Sequence, residues 1–352
     1  MPKFTHTDKL ISSASVRARY ARRCAALTAA LIAVFVVSFF LGRYKVSPES
    51  FWRIFTSPFT GGDLSDISRE VSATLYIRLP RVLAALLIGA ALSTAGASYQ
   101  GMFRNPMVSP DILGASTGAG FGAALAILLS MNYFGIMTLA FAGGMGAVLL
   151  AYLVSRSSRL DGTLSLVLAG VMISSLFSAG TSFIKLIADT DNQLPAITYW
   201  LMGSLSSIKL EDLPFAAIPI AAGLIPLILL RWRINLLTTG ADEAKSLGVN
   251  VAGLRLAVIV CATLMTAASV AVSGMIGWIG LVIPHFVRLI FGYDYRRIIP
   301  MSAILGAAFL LAVDNIARIA TTTELPLGIL TSFVGAPIFV YLIMTGGQRR
   351  EH

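Results

Sequence analysis

The sequence predicts an all-α integral membrane protein with about ten transmembrane helices, several of them short or broken. Hydrophobic residues make up 56% of the chain and charged residues 12%, whereas soluble domains carry about 25% charged residues. The charges also fall in short segments between long apolar runs, as expected where each crossing needs about 20 apolar residues. In that arrangement the net charge of +10 indicates membrane topology and does not indicate nucleic-acid binding.

The first half of the chain begins with a basic segment. Residues 1–23 carry six Lys or Arg against one acid and predict a cytoplasmic N-terminal tail. The apolar run after them has no small-residue cleavage pattern behind it, which favours a first membrane helix over a cleaved signal peptide. Residues 43–77 are mixed in polarity and predict an external loop with some amphipathic helix. The first five crossings are predicted at residues 24–42, at 78–103, twice within 112–155 with a turn near 132–135, and at 163–187.

The second half of the chain contains two long polar segments. Residues 188–212 include four acids and predict an external surface or re-entrant helix. Residues 231–254 predict the longest internal loop, and residues 348–352 a cytoplasmic tail. We interpret residues 24–347 as one transmembrane domain. The last five crossings are predicted at residues 213–230, twice within 256–292, and at 298–320 and 325–345.

The seventh and eighth crossings share an uncharged run that is too long for one helix and too short for two ordinary ones. The run at 256–284 ends in GMIGWIGLVIP, so we predict a break at the glycines and a short returning helix. Pro284 has no amide hydrogen and predicts a helix end or kink. Broken membrane helices are typical of transport pathways, although glycines also allow two packed helices to approach closely. The residues that we assign to the path here are Gly274, Gly277, Gly280 and Pro284.

A weak inverted repeat connects this region with the second crossing. TAGASYQGM at 94–102 aligns with AASVAVSGM at 267–275, and a proline follows each copy. The predicted topology runs the first copy inward and the second outward. Inverted repeats are typical of transporters, but short helices rich in small residues also resemble one another by chance.

The distribution of basic residues predicts that both termini are cytoplasmic. Most of the 27 Lys and Arg fall in the N-terminal tail and in the loops assigned to the inner side, as the positive-inside rule requires. An even number of crossings agrees with that assignment.

Three stretches of the sequence are similar to the FecCD family, the permease subunits of ABC importers for iron–siderophore, haem and cobalamin. They are residues 78–116, which begin RLPRVLAALLIGAALSTAGASYQGMFRNP, residues 277–318, which begin GWIGLVIPHFVRLIFGYDYRRIIP, and residues 324–343, which begin ELPLGILTSFVGAP. The resemblance covers roughly residues 46–347. It implies an ABC importer permease that translocates an iron chelate of the siderophore type.

Arg78, Arg81 and Arg318 are predicted at the outer ends of crossings. The resemblance implies that they contact glutamates of a substrate-binding protein, whereas the residues alone are equally consistent with arginines that reach lipid head groups. Asp314 lies four residues before Arg318, so the two side chains share one helix face and can pair. That pair either orients Arg318 or is only structural.

Two further groups of residues take their roles from the resemblance. In the internal loop, Asp242, Glu243 and Ala244, with Gly248 as a glycine stop, resemble the motif that couples ABC permeases to their ATPases; a solvated loop helix is the alternative. Near the third crossing, small residues allow close helix packing, and the resemblance implies that they also lie beside the translocation path. These residues are Gly114, Ser116 and Gly118.

The chain contains no phosphate-binding loop of the Gly-x-x-x-x-Gly-Lys-Ser/Thr type, so we expect ATP to be bound by a separate subunit and no cofactor or metal in this chain. The expected partners are a second permease copy or a paralogous permease, two ATPase subunits, a periplasmic or lipid-anchored binding protein, and membrane lipid. The expected location is the bacterial cytoplasmic membrane.

Haem, cobalamin or an oxyanion are alternative cargoes. An ion-coupled secondary transporter is the alternative from another class, but it requires intramembrane acids, and Asp314 alone lies well inside an apolar run.

Overall fold

The computed structural model describes residues 6–61, 63–158, 162–321 and 323–346. Every regular element in this part of the chain is helical. The α-helices are α1 (His6–Ser38), α2 (Pro48–Thr60), α3 (Ser68–Val71), α4 (Leu79–Phe103), α5 (Ala115–Leu128), α6 (Tyr133–Ser157), α7 (Gly162–Ile187), α8 (Gln193–Met202), α9 (Leu213–Leu237), α10 (Ala241–Ser246), α11 (Val251–Ser273), α12 (Ile279–Phe291), α13 (Tyr295–Ile319) and α14 (Leu327–Gly346).

Helices occupy each of the ten predicted crossings, which confirms the predicted fold class. Seven spans within the described residues are long and apolar enough to cross a membrane. Two shorter apolar helices, Ala115–Leu128 and Ile279–Phe291, occupy the third and eighth positions, and α14 (Leu327–Gly346) occupies the tenth. A bilayer core needs about 20 helical residues, so the short helices must lie against other helices rather than in lipid on all sides.

Three helices form the centre of the bundle. We compare the most apolar 18-residue stretch of each membrane helix, which we call its most apolar window. In this stretch 78% of the residues of α11 and 67% of those of α13 are buried within the subunit, whereas 6% of those of α1 are buried. The third central helix is α4, which runs antiparallel to α13: Arg81 contacts Asp314, Gly89 meets Gly306 and Ser93 Oγ donates to the Ser302 carbonyl at 2.7 Å. A Cβ on Gly89 would lie 2.3 Å from the Gly306 carbonyl oxygen, so glycine is required at this crossing.

The two copies of the sequence repeat occupy comparable places. The first copy lies in the C-terminal part of α4, which a short 3₁₀ helix (Pro110–Leu113) connects to the short helix α5. The second copy spans the end of α11, which a non-helical segment connects to the short helix α12. In both cases a mostly buried helix rich in small residues precedes a short apolar one.

Two predicted boundaries are corrected. The loop predicted at 231–254 is shorter, because α9 continues to Leu237 and α11 already begins at Val251. Pro284 does not end a helix, because it lies inside α12. The predicted break at the glycines is confirmed, and it lies between Ser273 and Ile279.

Candidate functional site

An arginine–carboxylate cluster (Arg78, Arg81, Asp314, Arg318 and Glu324) lies where α4 begins and α13 ends. Arg81 Nε donates to Asp314 Oδ1 at 2.7 Å, and Arg81 Nη1 donates to Glu324 Oε2 at 2.7 Å. Arg318 Nε lies 3.3 Å from Asp314 Oδ2. Asp314 is completely buried, so it neutralises two buried guanidinium groups at once. Ions inside a membrane protein are costly unless they are paired in this way.

The same cluster holds the end of α1. The Arg78 guanidinium donates to the carbonyl oxygens of Phe39 and Tyr44. Arg318 Nη2 donates to the Ser38 carbonyl at 3.3 Å, and Asn315 Nδ2 donates to Ser38 Oγ at 2.8 Å. The last carbonyls of a helix have no partner within the helix, and here arginines supply the donors.

The structure therefore brings the three arginines of the docking hypothesis together, but all three are buried. The most exposed acidic or basic side chain of the cluster is Glu324, at 36%, and it occupies one nitrogen of Arg81. Glu324 opens the ELPLG stretch. Its position directly before a predicted crossing is the only signal in the sequence for a role in this cluster.

The helix break between α11 and α12 borders a cavity. Gly274 has a φ of +68° and Trp278 a φ of +69°, a left-handed backbone that side chains disfavour, so the chain turns sharply at both ends of the break. A cavity of about 560 Å³ lies beside this turn and also touches α8 and α14. Its lining residues are Leu201, Met202, Met275, Gly277, Gly328, Ile329, Ser332 and Phe333.

A second cavity of about 500 Å³ lies next to the first residue of the break, Gly274. Its lining mixes hydroxyl, amide and aromatic groups with apolar ones and contains no charged side chain. Of the four residues that the sequence assigned to the path at the break, Gly274 and Gly277 line cavities. The other two, Gly280 and Pro284, are buried in α12.

Gly280 and Pro284 belong to a packed contact between α12 and α4. A Cβ on Gly96 would lie 1.9 Å from the Gly280 carbonyl oxygen. Pro284 cannot donate to that oxygen, and Gln100 Nε2 donates to it instead, at 3.3 Å. Gln100 Oε1 in turn accepts from Arg288 Nη1 at 2.5 Å. This amide–arginine site (Gln100 and Arg288) compensates for the missing backbone hydrogen bond. The sequence does not predict it, because each of the two residues is an isolated polar position in an apolar run.

Gly114, Ser116 and Gly118 are packing residues in this subunit. Gly114 has a φ of +88° and ends the 3₁₀ helix before α5. Ser116 Oγ donates to the carboxylate of Asp111. A Cβ on Gly118 would lie 2.4 Å from the Gly143 carbonyl oxygen of α6. These contacts support the packing interpretation, and none of the three residues lines one of the two cavities at the break.

The coupling motif forms α10, a single short helix between two glycines. Ala244 is completely buried, whereas Asp242, Glu243 and Gly248 are exposed. Gly248 has a φ of +80° and nothing within 4 Å of a Cβ position, so the backbone rather than crowding requires glycine there. Leu247 is 63% exposed. The helix thus presents acids and one leucine on an accessible turn while Ala244 anchors it.

The family is decided by the match of residues 30–345 to the model of the FecCD transport family. The chain belongs to the FecCD family. It is 39% identical to the molybdate import system permease protein MolB of Haemophilus influenzae, over 92% of this chain and 96% of that protein. It is 45% identical to an iron chelatin transport system permease of Helicobacter pylori, over 76% of this chain and 81% of that protein.

A solved structure supports the same assignment. An inward-facing metal-chelate type ABC transporter superposes with a TM-score of 0.83 and 38% identity, covering 92% of this chain and 99% of that one. As a member of the FecCD family, the chain is a multi-pass membrane permease of an ABC transporter. Among the described residues no three His, Cys, Asp or Glu side chains are grouped as metal ligands.

Proposed function

We propose that this permease moves an iron chelate of the siderophore type across the bacterial cytoplasmic membrane. The uncharged cavity beside the helix break carries this proposal, because glycine, methionine and aliphatic residues form most of its wall. Methionine is flexible and adapts to bulky ligands, whereas hard metal ions without a chelator need oxygen ligands. A metal that arrives already chelated needs a shaped apolar path rather than protein ligands.

An oxyanion is the second candidate cargo. The similarity to the molybdate permease extends over nearly the whole of both chains, and haem and cobalamin permeases share the family. Uptake of radiolabelled iron–siderophore and of molybdate would be compared in cells whose own importers are deleted. We expect iron uptake that depends on the ATPase partner. Molybdate uptake alone would replace the proposal, and uptake that persists with an inactive ATPase would favour a secondary transporter.

The proposed assembly contains two permeases, identical or paralogous, and two ATPase subunits that bind ATP, since this chain lacks an ATPase motif of its own. The exposed surface of α7 supports the permease contact: 22% of its most apolar window is buried, and Ser175, Ser178 and Ser182 are exposed along it. Small hydroxyl residues allow a second membrane helix to approach closely.

The exposed turn at Asp242, Glu243 and Leu247 supports α10 as the ATPase contact.

The proposed partner on the other side of the membrane is a periplasmic or lipid-anchored binding protein that docks at Arg78, Arg81 and Arg318. Glu324 sets the condition for this docking. It already occupies Arg81 Nη1, so a carboxylate from the partner must displace it or approach beside it. Arginine is suited to such an exchange because its fork of donors binds carboxylates in pairs.

Both termini are proposed to be cytoplasmic. In a variant with Cys24 and Cys261 replaced, a cysteine at Ser65 should react with a membrane-impermeant maleimide in intact cells, and one at Ser158 should not. Both positions are exposed in the structure, so their reactivity depends on the side of the membrane. The opposite labelling pattern would invert the topology and exchange the proposed docking and coupling faces.

A further inference from the structure

Arginines of α1 and α13 and aromatic side chains of α1 and α9 come together at the end of the bundle that carries the basic N-terminal segment. Arg297 of α13 stacks on Tyr20 of α1, with Cζ 4.7 Å from the ring centroid. Arg296 of α13 stacks on Trp232 of α9, with Cζ 4.9 Å from the ring centroid. Arg23 Nη1 donates to the last turn of α12 at the Ile290 carbonyl. We call Tyr20, Arg23, Trp232, Arg296 and Arg297 the inner arginine surface.

The stacks distinguish this surface from ordinary flexible basic side chains. A guanidinium over an aromatic face is attracted by the ring quadrupole, and here each stack joins two different helices. Tyr20 is itself held edge-on against Phe291, with ring centroids 5.7 Å apart. The positions of Arg296 and Arg297 are therefore set by tertiary contacts, which an arginine that merely follows the positive-inside rule does not require.

The surface carries excess positive charge. Asp294 is the acid that pairs with it: Arg296 Nε donates to Asp294 Oδ1 at 2.8 Å, and this hydrogen bond lowers the pKa of Asp294. Arg297 Nε also lies 3.9 Å from Asp294 Oδ2, and these arginines have no ion pair with another acid in the part of the chain that the structure describes. One carboxylate thus pairs with both Arg296 and Arg297, and Arg23 adds a third positive charge, so an additional anion is favoured at this place.

The surroundings of the surface are apolar and exposed on the outside of the subunit. In the most apolar window of α1, 6% of the residues are buried. On α12, Leu289 and Ile290 are exposed directly beside the Arg23 contact. Tyr293 is 77% exposed, and exposed Trp and Tyr are typical of the head-group level of a membrane. A soluble anion would not need such an apolar wall.

We propose that the inner arginine surface binds the phosphate of an anionic phospholipid in the inner leaflet. Arg23, Arg296 and Arg297 would contact the phosphate, while the acyl chains would lie against Leu289, Ile290 and the exposed side of α1. Basic pockets between membrane helices on the cytoplasmic side bind such head groups. The proposal rests on the cytoplasmic placement of this end, which the maleimide labelling tests separately.

The test compares two double variants by native mass spectrometry of the full-length permease. Arg296→Gln with Arg297→Gln should weaken phosphatidylglycerol binding by about thirtyfold, because each basic residue near the surface contributes about a fivefold factor. The matched control, Arg104→Gln with Arg156→Gln, removes two inner-side arginines elsewhere and should leave the affinity nearly unchanged. Equal losses in both variants would mean that any arginine on this side of the membrane attracts the lipid equally, and would overturn the proposal.

Further measurements separate the possible sources of the effect. Arg296→Lys keeps the charge but lacks the planar group that stacks on Trp232, so its phosphatidylglycerol affinity should fall severalfold; an unchanged affinity would overturn the role of the stacks. Inorganic phosphate should not compete with phosphatidylglycerol, and phosphatidylcholine should bind weakly in all variants. If the arginine variants lose ATPase assembly while lipid binding is intact, the surface is a protein contact and the proposal is wrong.

Discussion

The two ends of the helical bundle both bury arginines, but they neutralise them differently. In the arginine–carboxylate cluster, Arg81 lies between Asp314 and Glu324, each at 2.7 Å. In the amide–arginine site, Arg288 is buried against the neutral Gln100, and no acid pairs with it in the described part of the chain. The first site pairs opposite charges, one of them on the partly exposed Glu324, while the second joins α4 and α12 through an amide.

This difference distinguishes a partly exposed contact, Arg81 with Glu324, from a fully buried contact, Arg288 with Gln100, which holds two helices together. The proposed docking requires a partner carboxylate to displace only Glu324, whose side chain is 36% exposed. The amide of Gln100 also donates to the carbonyls of Val108 and Gly280, so it cannot turn away without leaving several buried groups unsatisfied. Variants at these two sites, and one at the exposed Gly248 beside α10, test the comparison from the largest expected effect to the smallest.

Asp314→Asn should have the largest effect. The substitution leaves Arg81 and Arg318 buried without their shared anion, and loss of one partner of a buried ion pair costs about 3–5 kcal/mol. We expect a large loss of folded permease in fluorescence-detected size exclusion and a lower melting temperature. Asp294→Asn is the matched control, because Asp294 pairs with arginines that are themselves partly exposed, and it should cost less. Equal stability of both variants would mean that the cluster holds its arginines without the buried charge.

Gln100→Leu should come next. It removes the donor to the Gly280 carbonyl and the acceptor for Arg288, and each unsatisfied buried group costs about 1–3 kcal/mol. The melting temperature should fall, and Gln100→Glu should lose less because the carboxylate still accepts from Arg288. If leucine is tolerated as well as glutamate, the amide does not join α4 to α12.

Gly248→Val should have a smaller and local effect. Its φ of +80° disfavours a branched side chain by about 1–2 kcal/mol, while the space around it is open. We expect nearly normal insertion and melting but reduced substrate-stimulated ATP hydrolysis in the reconstituted complex. Gly146→Val, also in open space but inside α6, is the control for hydrolysis. Full hydrolysis by Gly248→Val would argue against α10 as the coupling element.

Glu324→Gln should have the smallest effect and the opposite sign for docking. It frees Arg81 Nη1 from a half-exposed carboxylate, and exposed ion pairs contribute about 0–1 kcal/mol. Stability should barely change, while the affinity for the binding protein should rise up to about fivefold at low salt. This variant is a cleaner test than Arg81→Glu, which would bury a third carboxylate beside Asp314. An unchanged affinity at low and high salt would leave these arginines with a structural role only.

The sequence by itself determined the membrane class and the approximate positions of the helices that occupy the predicted crossings. Uncharged runs of membrane length permit few alternatives, because an unpaired backbone group in lipid is too costly. The glycine break before α12 was also readable, since Gly274 adopts a backbone that other residues disfavour. The long motifs at 78–116 and 277–318 were sufficient to indicate the family.

Tertiary structure alone decided which polar groups meet. Gln100 and Arg288 are 188 positions apart, and Arg81 and Glu324 are 243 apart, so no local pattern indicates either pair. The same holds for Pro284: its missing amide hydrogen is consistent with a helix end, but the Gln100 amide supplies a donor from another helix and α12 continues through the proline. Residue type determines that a buried charge or carbonyl needs a partner, and only the packing of α4 against α12 and α13 determines which partner it finds.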